Sequence, residues 1–385
     1  MKTLNIGYAH PDYNAKRNII GRGQDCKYIL RRPFNSLLMR AFRRQYNVGG
    51  LMRPLRFCYF GGLRWEPKTK IDLNHFWNFL SVWPSKTPCI TTFEHKLPRC
   101  FDVQGEKPPE YLIKALTSER CRRLIAISQC AKRHQIKFNA DHGISEVDEK
   151  ISVLLPQQSV LCTEDDIVRK APRNGEIHFM FMGSEFWRKG GGETVRALLE
   201  IRKHYPIRLL IIGRCDRMDY GFESDSDNVE EMQRLLADNS DWIECRQRVP
   251  NDEVLRLMRE WCHVGLLPTR EETFGYSVLE MQASGVPVIT PDIWALPEMN
   301  NDGCGWMVPI KAQDDYGRID IWSREARSDF TKVMQTGIIE ACNKMLSDPD
   351  SITRKGIAAL KRVKAEHDPV AHSRKLRQIY EMALR

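Results

Sequence analysis

The sequence predicts an α/β protein with two doubly wound domains, and three observations lead to this fold class. Its 385 residues exceed what one ordinary hydrophobic core organises. Short apolar stretches alternate with helical stretches, which is the pattern of parallel βα units. Residues 156–176 form a polar segment with Pro156, Pro172 and Gly175, and this segment is predicted to link two such series.

The first series predicts an N-terminal domain over residues 1–155. Each of its apolar runs is short and is followed by a polar or helical stretch; the predicted strands are 3–9, 71–76, 87–93, 123–128 and 151–156. Nearly continuous apolar runs suit parallel strands, because helices cover both faces of such a sheet.

The second series predicts a C-terminal domain over residues 156–366. Its predicted strands are 177–183, 207–213, 241–247, 263–269 and 286–290, and its predicted helices are 192–204, 229–237, 251–261 and 275–284. Residues 323–385 are predicted to be entirely helical. The order of elements favours two separate sheets over one large sheet.

The composition indicates a soluble, globular, cytoplasmic protein. Hydrophobic residues make up 42% and charged residues 28% of the chain, and no apolar run approaches the ~18 residues of a membrane span. The first residues carry no apolar segment or cleavage site of a signal peptide. The twelve cysteines are never closer than nine residues, as at Cys121 and Cys130, which excludes CxxC motifs and predicts free thiols in a reducing cytoplasm.

The positive charge of the chain is concentrated at its start. Residues 1–64 carry 13 lysines and arginines against Asp12 and Asp25, a local charge of +11, whereas the whole chain carries +9. Within this region, residues 33–47 place apolar side chains on one helical face and arginines beside it. Two interpretations stay open: a domain helix with a solvated basic face, or a helix that lies on an anionic membrane surface.

The stretch REETFGYSVLEMQASGVPVITPD, residues 270–292, carries the strongest functional pattern. Glu272 follows a predicted strand, at the sheet edge where ligands of α/β proteins bind. The helix after it offers backbone N–H groups and a partial positive charge to a phosphate, and Gly275 permits close approach of the backbone. Glu280 lies about two turns into the motif, and carboxylates accept hydrogen bonds from sugar hydroxyls.

This stretch resembles the signature of the retaining family-4 glycosyltransferases, with Glu, Phe-Gly, a second Glu after seven residues, and Gly-Val-Pro-Val. The resemblance extends over roughly 119–383 and is strongest at 177–309, including FMGSEFWRKGGGETVRALLEI. It implies the GT-B fold, in which two Rossmann-like domains face a central cleft. It also implies an N-terminal acceptor domain, a C-terminal nucleotide-sugar domain, and a last helix, 367–385, that packs back on the N-terminal domain.

The resemblance also implies roles for individual residues. Glu272 would bind the donor sugar hydroxyls, and Glu280 the ribose. The diphosphate would be bound by Lys189, assisted by Arg188, beside the strand glycine Gly183 and the backbone of Thr273, Phe274 and Gly275. His95, which follows a strand of the first domain, would lie near the reacting centre together with Glu272, and Glu94 is a weaker candidate there.

The sequence departs from the family pattern at two places, and one further triplet imitates an unrelated motif. Ser184 follows Gly183 where the family often has arginine, so Arg188 is the candidate replacement. The usual Gly-Gly loop after the first strand is unclear, and Gly21 and Gly23 are its candidates. The triplet Asp225-Ser226-Asp227 imitates a metal-binding DxD motif, but its polar surroundings favour a solvated loop; no metal and no cofactor is predicted.

The predicted function is a retaining glycosyltransferase of hexosyl type, moving sugar from a nucleotide-sugar donor to a glycan or lipid-linked acceptor. The predicted process is synthesis of cell-envelope polysaccharide or glycolipid such as lipopolysaccharide, with the protein cytoplasmic or peripheral on the inner membrane face. The alternatives are a non-catalytic glycosyltransferase-like subunit, a GT-B enzyme with a small acceptor, and a nucleic-acid-binding protein. The last lacks an aromatic-basic motif, and no nucleic acid is expected as a partner.

Overall fold

The computed structural model describes residues 2–9, 11–31, 69–82, 85–99, 108–172, 175–217, 219, 227–311, 317, 319–320 and 323–385. The chain divides into two compact units. The first unit comprises Met1–Gln157 together with His367–Arg385, and the second comprises Gln158–Glu366. Each unit contains its own six-stranded parallel sheet.

The sheet of the first unit has the strand order β2-β1-β3-β4-β5-β6. Its strands are β1 (Leu4–Tyr8), β2 (Cys26–Leu30), β3 (Leu73–Trp77), β4 (Cys89–Phe93), β5 (Cys121–Ala126) and β6 (Ile151–Val153). Its helices among the described residues are α1 (Tyr13–Asn18), α2 (Glu110–Thr117), α3 (Gln129–Asp141) and a 3₁₀ turn at Ser145–Lys150. The order reverses between β1 and β3, which makes this a doubly wound sheet.

The last helix of the chain, α12 (Pro369–Leu384), belongs to the first unit and packs on its sheet. It buries Leu376, Ile379, Tyr380 and Ala383 among strand residues that include Leu4, Ile6, Leu73, Ile90 and Ile125. The Tyr380 hydroxyl lies 2.8 Å from His75 Nδ1, and His75 Nε2 lies 2.7 Å from Thr92 Oγ1. Burial lowers the pKa of His75 to about 3, so this ring is neutral at physiological pH.

The sheet of the second unit has the strand order β12-β11-β10-β7-β8-β9. Its strands are β7 (Ile177–Gly183), β8 (Ile207–Gly213), β9 (Ile243–Arg246), β10 (Val264–Leu266), β11 (Val288–Pro291) and β12 (Trp306–Val308). The chain runs outward from β7 to β9 on one side and from β10 to β12 on the other. The neighbours β7 and β10 therefore form the point at which the strand order reverses.

Eight helices of the described residues belong to the second unit. They are α4 (Glu164–Lys170), α5 (Gly191–Arg202), α6 (Asp227–Asp238), α7 (Asn251–Glu260), α8 (Tyr276–Ala283), α9 (Leu296–Met299), α10 (Arg324–Ser347) and α11 (Asp350–Glu366). Gly285 follows the end of helix α8, and its φ of +67° suits glycine after a helix C-terminus. Together α10, α11 and α12 account for the predicted helical C-terminus.

The structure corrects three predictions made from local sequence. The predicted linker 156–176 contains helix α4, because Thr163 and Asp166 form a reciprocal capping box at its start. Strands β2 and β12 were not predicted: β2 is a half-exposed edge strand and β12 has only three residues. Gly21 and Gly23 lie between α1 and β2, so they do not form the turn after β1, which leads directly into α1.

The basic segment 33–47 lies outside the described residues, as does most of the positively charged start of the chain. Among the described residues, no helix is both long enough and apolar enough to cross a membrane.

Candidate functional site

Two loops of the second unit meet where its strand order reverses. One loop, residues 184–190, joins β7 to α5, and the other, residues 267–275, joins β10 to α8. Gly190 has a φ of +83°, and a Cβ there would overlap the carbonyl oxygen of Pro268 in the other loop. Glycine is therefore required where the loops cross. Ligands of open α/β sheets bind at this carboxyl edge, beside such a reversal.

Lys189 and Glu272, one from each loop, form an ion pair at this edge. The ammonium Nζ of Lys189 lies 2.7 Å from Glu272 Oε2 and 3.3 Å from the backbone oxygen of Glu271. Burial alone would raise the pKa of Glu272, but the charge and hydrogen bond of Lys189 outweigh it and hold that pKa below its usual value. Glu272 is therefore ionised at neutral pH. The pair supplies a cation and a carboxylate side by side.

The same carboxylate also binds the backbone of the loop that leads into helix α8. Glu272 Oε1 accepts hydrogen bonds from the backbone N–H groups of Gly275, at 3.0 Å, and Phe274, at 3.3 Å. Gly275 has a φ of +98°, a conformation that glycine adopts without strain. In this structure these two N–H groups, which precede the first residue of α8, are therefore already bonded to Glu272. A ligand phosphate would have to take them from Glu272.

Arg188, the predicted second cation, is held by acidic neighbours. Its guanidinium pairs with Glu185 and lies 3.5 Å from Glu271 Oε2. Burial alone would lower the pKa of Arg188, but Glu185 and then Glu271 raise it above its usual value, so the charge is permanent. The backbone N–H of Arg188 donates to Asp219 Oδ2 at 3.0 Å. Arg188 therefore sits in the predicted loop, oriented by carboxylates.

Arg270 is a residue of this region that the sequence analysis missed. Its buried guanidinium pairs with Glu193 of α5, donates to the Trp187 carbonyl at 2.8 Å and to Thr331 Oγ1 at 3.0 Å. Its backbone N–H also donates to the carbonyl of Arg188 at 3.2 Å. Arg270 thus connects the two loops through buried hydrogen bonds. In the sequence, the feature that could have identified Arg270 is its position as a charged residue directly after a predicted apolar strand.

The remaining predicted donor residues lie on the same loops or on α8. Gly183 ends β7, and a Cβ there would lie 2.9 Å from the Cβ of Lys189, so glycine makes room for that lysine. Thr273 is half-buried in the second loop, and Ser184 is exposed in the first. Glu280 is buried in the second turn of α8. The structure therefore brings Lys189, Glu272 and Gly275 into direct contact and places Glu280 farther along the helix.

His95 lies in the first unit, after β4. Its ring packs edge-on against His134 of α3 with the centroids 4.8 Å apart, and His134 Nε2 lies 3.6 Å from Cys130 Sγ. The neighbouring Glu94 accepts hydrogen bonds from Asn78 at 2.9 Å and from Arg99 at 2.7 Å. Glu94 therefore has local partners on its own unit.

The described residues contain no group of three or more His, Cys, Asp or Glu side chains arranged to hold a metal ion. Of the DxD-like triplet, Asp225 and Ser226 lie outside the described residues, and Asp227 begins helix α6.

Comparison with known proteins finds a family that is similar to this region of the chain. Residues 176–318, which contain both loops of the site, match the family model described as Glycosyl transferases group 1. This part of the chain is therefore similar to group 1 glycosyl transferases. A curated relative, an uncharacterised 41.2 kDa protein in the cps region of Klebsiella pneumoniae, is 26% identical over 230 residues. That match covers 55% of this chain, and the chain spans about half (55%) of the relative's length.

Solved structures show the fold of the whole chain to be GT-B. A glycosyltransferase from Rickettsia africae aligns with a TM-score of 0.60 at 16% identity, over 100% of both chains. Sucrose-phosphate synthase from Thermosynechococcus elongatus aligns with a TM-score of 0.61 at 15% identity, over 98% of both chains. HepE of Anabaena, in complex with UDP and glucose, gives 0.58 at 11% identity, over 98% of this chain and 99% of that one.

Proposed function

We propose that this protein transfers a sugar from a nucleotide-sugar donor to a glycan or lipid-linked acceptor, with retention of the anomeric configuration. The proposal rests on one observation above the others: Lys189, Glu272 and the start of α8 converge at the strand reversal of a group 1 glycosyl transferase domain. A fixed cation suits the diphosphate, and a carboxylate suits the sugar hydroxyls.

Donor binding would exchange partners within this cluster. In this structure, Lys189 neutralises Glu272, and Glu272 accepts hydrogen bonds from the N–H groups of Phe274 and Gly275. A bound diphosphate would take over Lys189 and these N–H groups, since all of them are anion-binding groups. The carboxylate of Glu272 would then be released to accept hydrogen bonds from the donor sugar, and Glu280 from the ribose.

The proposed chemistry is attack on the face from which the leaving group departs. The acceptor hydroxyl oxygen forms a bond to the anomeric carbon while the bond from that carbon to the diphosphate oxygen breaks. The acceptor proton passes to the departing phosphate oxygen. Negative charge grows on the diphosphate in this step, and Lys189, with Arg188 behind it, would stabilise that charge. His95 is proposed to lie near the reacting centre.

Three observations guide the choice of substrates. The Anabaena neighbour was solved with UDP and glucose, and a pneumococcal O-GlcNAc transferase neighbour with UDP and GlcNAc, so UDP-sugars are the first donors to test. The Klebsiella relative lies in a cps region, which supports envelope polysaccharide as the product class. The charge of residues 1–64 supports an anionic acceptor or membrane surface for the first unit.

Thermal shift with UDP, GDP, ADP and their common sugar conjugates tests the donor site. A ligand that binds only the folded protein raises its unfolding midpoint. We expect one nucleotide to raise the midpoint of the wild type and to lose this effect in Lys189→Ala. Lys203→Ala is the matched control, because Lys203 forms an exposed ion pair with Glu200 at 2.7 Å in the same unit. Absence of any shift in the wild type at millimolar nucleotide would overturn the proposal.

A further inference from the structure

A pair of neighbouring cysteine thiols lies at one edge of the sheet of the second unit. Cys215 follows the carboxyl end of β8, and Cys245 lies on the neighbouring edge strand β9. Their Sγ atoms are 3.1 Å apart, although both thiols are free. Cys215 is buried and Cys245 is exposed. The Cys245 thiol is therefore accessible to a dissolved reagent, and the buried Cys215 thiol lies next to it.

The two thiols differ in their acidity as well as in their exposure. The hydrogen bond from Cys215 lowers the pKa of Cys245 below its usual value, although burial acts in the opposite direction. The same hydrogen bond, followed by burial, raises the pKa of Cys215. The thiolate is the nucleophilic form of cysteine, so the exposed Cys245 is the attacking member of the pair.

The chain segment that follows Cys215 leads to Asp219, which contacts one of the two candidate donor loops. Asp219, four residues later, accepts the backbone N–H of Arg188 at 3.0 Å. A bond between Cys215 and Cys245 would fasten the start of this segment to β9. An oxidation at the sheet edge would therefore restrain a segment that contacts the loop bearing Arg188 and Lys189.

We propose that Cys215 and Cys245 are an oxidisable dithiol that forms a reversible disulfide with peroxide as the oxidant. The Cys245 thiolate attacks one peroxide oxygen, which breaks the O–O bond and gives a sulfenic acid and water after protonation. The Cys215 sulfur then displaces the sulfenic oxygen, forming the S–S bond and releasing a second water. Two thiols are oxidised, and one hydrogen peroxide is reduced to two waters. Thiol–disulfide exchange with a reductant restores the starting state.

A buried cysteine pair in the same protein serves as an internal control. Cys89 and Cys121 are register partners on the adjacent strands β4 and β5, and both thiols are buried. They also form a close thiol pair, but neither is exposed to a dissolved oxidant. Comparison of the two pairs therefore distinguishes the effect of solvent exposure of a thiol from the effect of the short distance between two thiols.

The test treats the reduced, full-length protein with hydrogen peroxide and follows it by intact and peptide mass spectrometry. We expect a loss of about 2 Da, reversed by dithiothreitol, and a disulfide linking the tryptic peptides Cys215–Arg217 and Leu235–Arg246. The Cys245→Ser variant changes an exposed residue and should not form this link. Hydrogen exchange at residues 214–217 should slow in the oxidised protein.

Three results would overturn the proposal. The first is accumulation of sulfinic or sulfonic acid at Cys245 without a link to Cys215. The second is preferential linkage of Cys89 to Cys121 at the same dose of peroxide. The third is an unchanged exchange rate at residues 214–217 after the Cys215–Cys245 link has formed, which would refute the restraint on this segment.

Discussion

Two ion pairs of the second unit have similar chemistry but different surroundings. The side chains of Lys189 and Glu272 are 17% and 14% exposed, and their partners include backbone groups at the start of a helix. The side chains of Arg270 and Glu193 are 3% and 5% exposed, and they also bind Thr331 and the Trp187 carbonyl. The first pair is accessible enough to exchange partners with a ligand, whereas the second pair is part of the packed interior that positions it.

The contrast shows why the chemical type of a charge pair does not by itself define its role. A buried pair whose remaining hydrogen-bonding groups are satisfied rigidifies its surroundings, and removal of one partner leaves an uncompensated charge. A pair at the mouth of a site costs less to open, because solvent or ligand replaces the lost partner. Four substitutions and one titration test this distinction, beginning with the largest expected effect.

Removal of Glu193 should give the largest loss of stability. Glu193→Ala leaves the buried Arg270 guanidinium without its carboxylate, and loss of one partner of a buried pair costs about 3–5 kcal/mol. Urea unfolding measures this as a lower midpoint. Replacement of both residues, by Glu193→Met and Arg270→Met, should cost less than the single change. A single variant as stable as the wild type would show that the pair does not organise the loops.

Removal of Lys189 should affect function more than stability. Lys189→Ala removes a cation that is partly exposed, so unfolding should change by on the order of 1–2 kcal/mol, between the values for surface and buried pairs. Turnover of the donor should fall on the order of 10²-fold, because a preorganised charge beside the leaving diphosphate is lost. Steady-state kinetics with the donor identified by thermal shift measures this. Unchanged turnover would show that Lys189 does not act in the donor site.

Substitution of Gly275 should combine a moderate loss of stability with a loss of nucleotide binding. Gly275→Ala places a side chain at a φ of +98°, which costs about 1–2 kcal/mol, and its Cβ would lie 3.1 Å from Leu296. Gly143→Ala is the matched control, since Gly143 also has a positive φ, +66°, but no atom within 4 Å of the added Cβ. Calorimetric titration with nucleotide should separate the two variants. Equal affinities would contradict a role for the Gly275 backbone.

The Lys189–Glu272 pair should also give a small pH dependence of stability. Glu272 has a lowered pKa in the folded protein, so its contribution is complete above the unfolded value of about 4.3 and is lost as pH falls through the folded pKa. The stability difference between wild type and Lys189→Ala should therefore narrow on acidification below about pH 4.3. Urea unfolding at a series of pH values measures it. An increase of this stability difference on acidification would contradict the prediction.

The sequence predicted the second unit well because its signals are local. Strands such as IHFMFMG and IRLLIIG are continuous apolar runs, and the predicted bounds of β7 and β8 agree with the structure. Residues at the end of one strand and the start of the next helix become neighbours through topology, so Lys189, Glu272 and Gly275 could be grouped without coordinates. The edge strand β2, in which no residue is buried, lacks this signal and was missed.

The side-chain contacts that organise the candidate site could not be predicted from the sequence. The hydrogen bond from the Gly275 N–H to Glu272 depends on side-chain torsions, and the pairing of Arg270 with Glu193 joins residues separated by 77 positions. Likewise, the capping box of α4 was present in the sequence as TEDD but was outweighed by nearby prolines and glycine. Pairwise contacts of this kind depend on tertiary packing rather than on periodicity or composition.

The most direct test of the partner exchange is the affinity of Glu272→Gln for the nucleoside diphosphate that stabilises the wild type. Glu272 binds Lys189 and two backbone N–H groups in this structure, and these are the groups that the proposed diphosphate would take over. Neutralising it should leave the affinity for the diphosphate equal or higher in isothermal titration calorimetry, while sugar transfer falls. A loss of diphosphate affinity as large as that of Lys189→Ala would contradict the account, because Glu272 would then assist diphosphate binding and not oppose it.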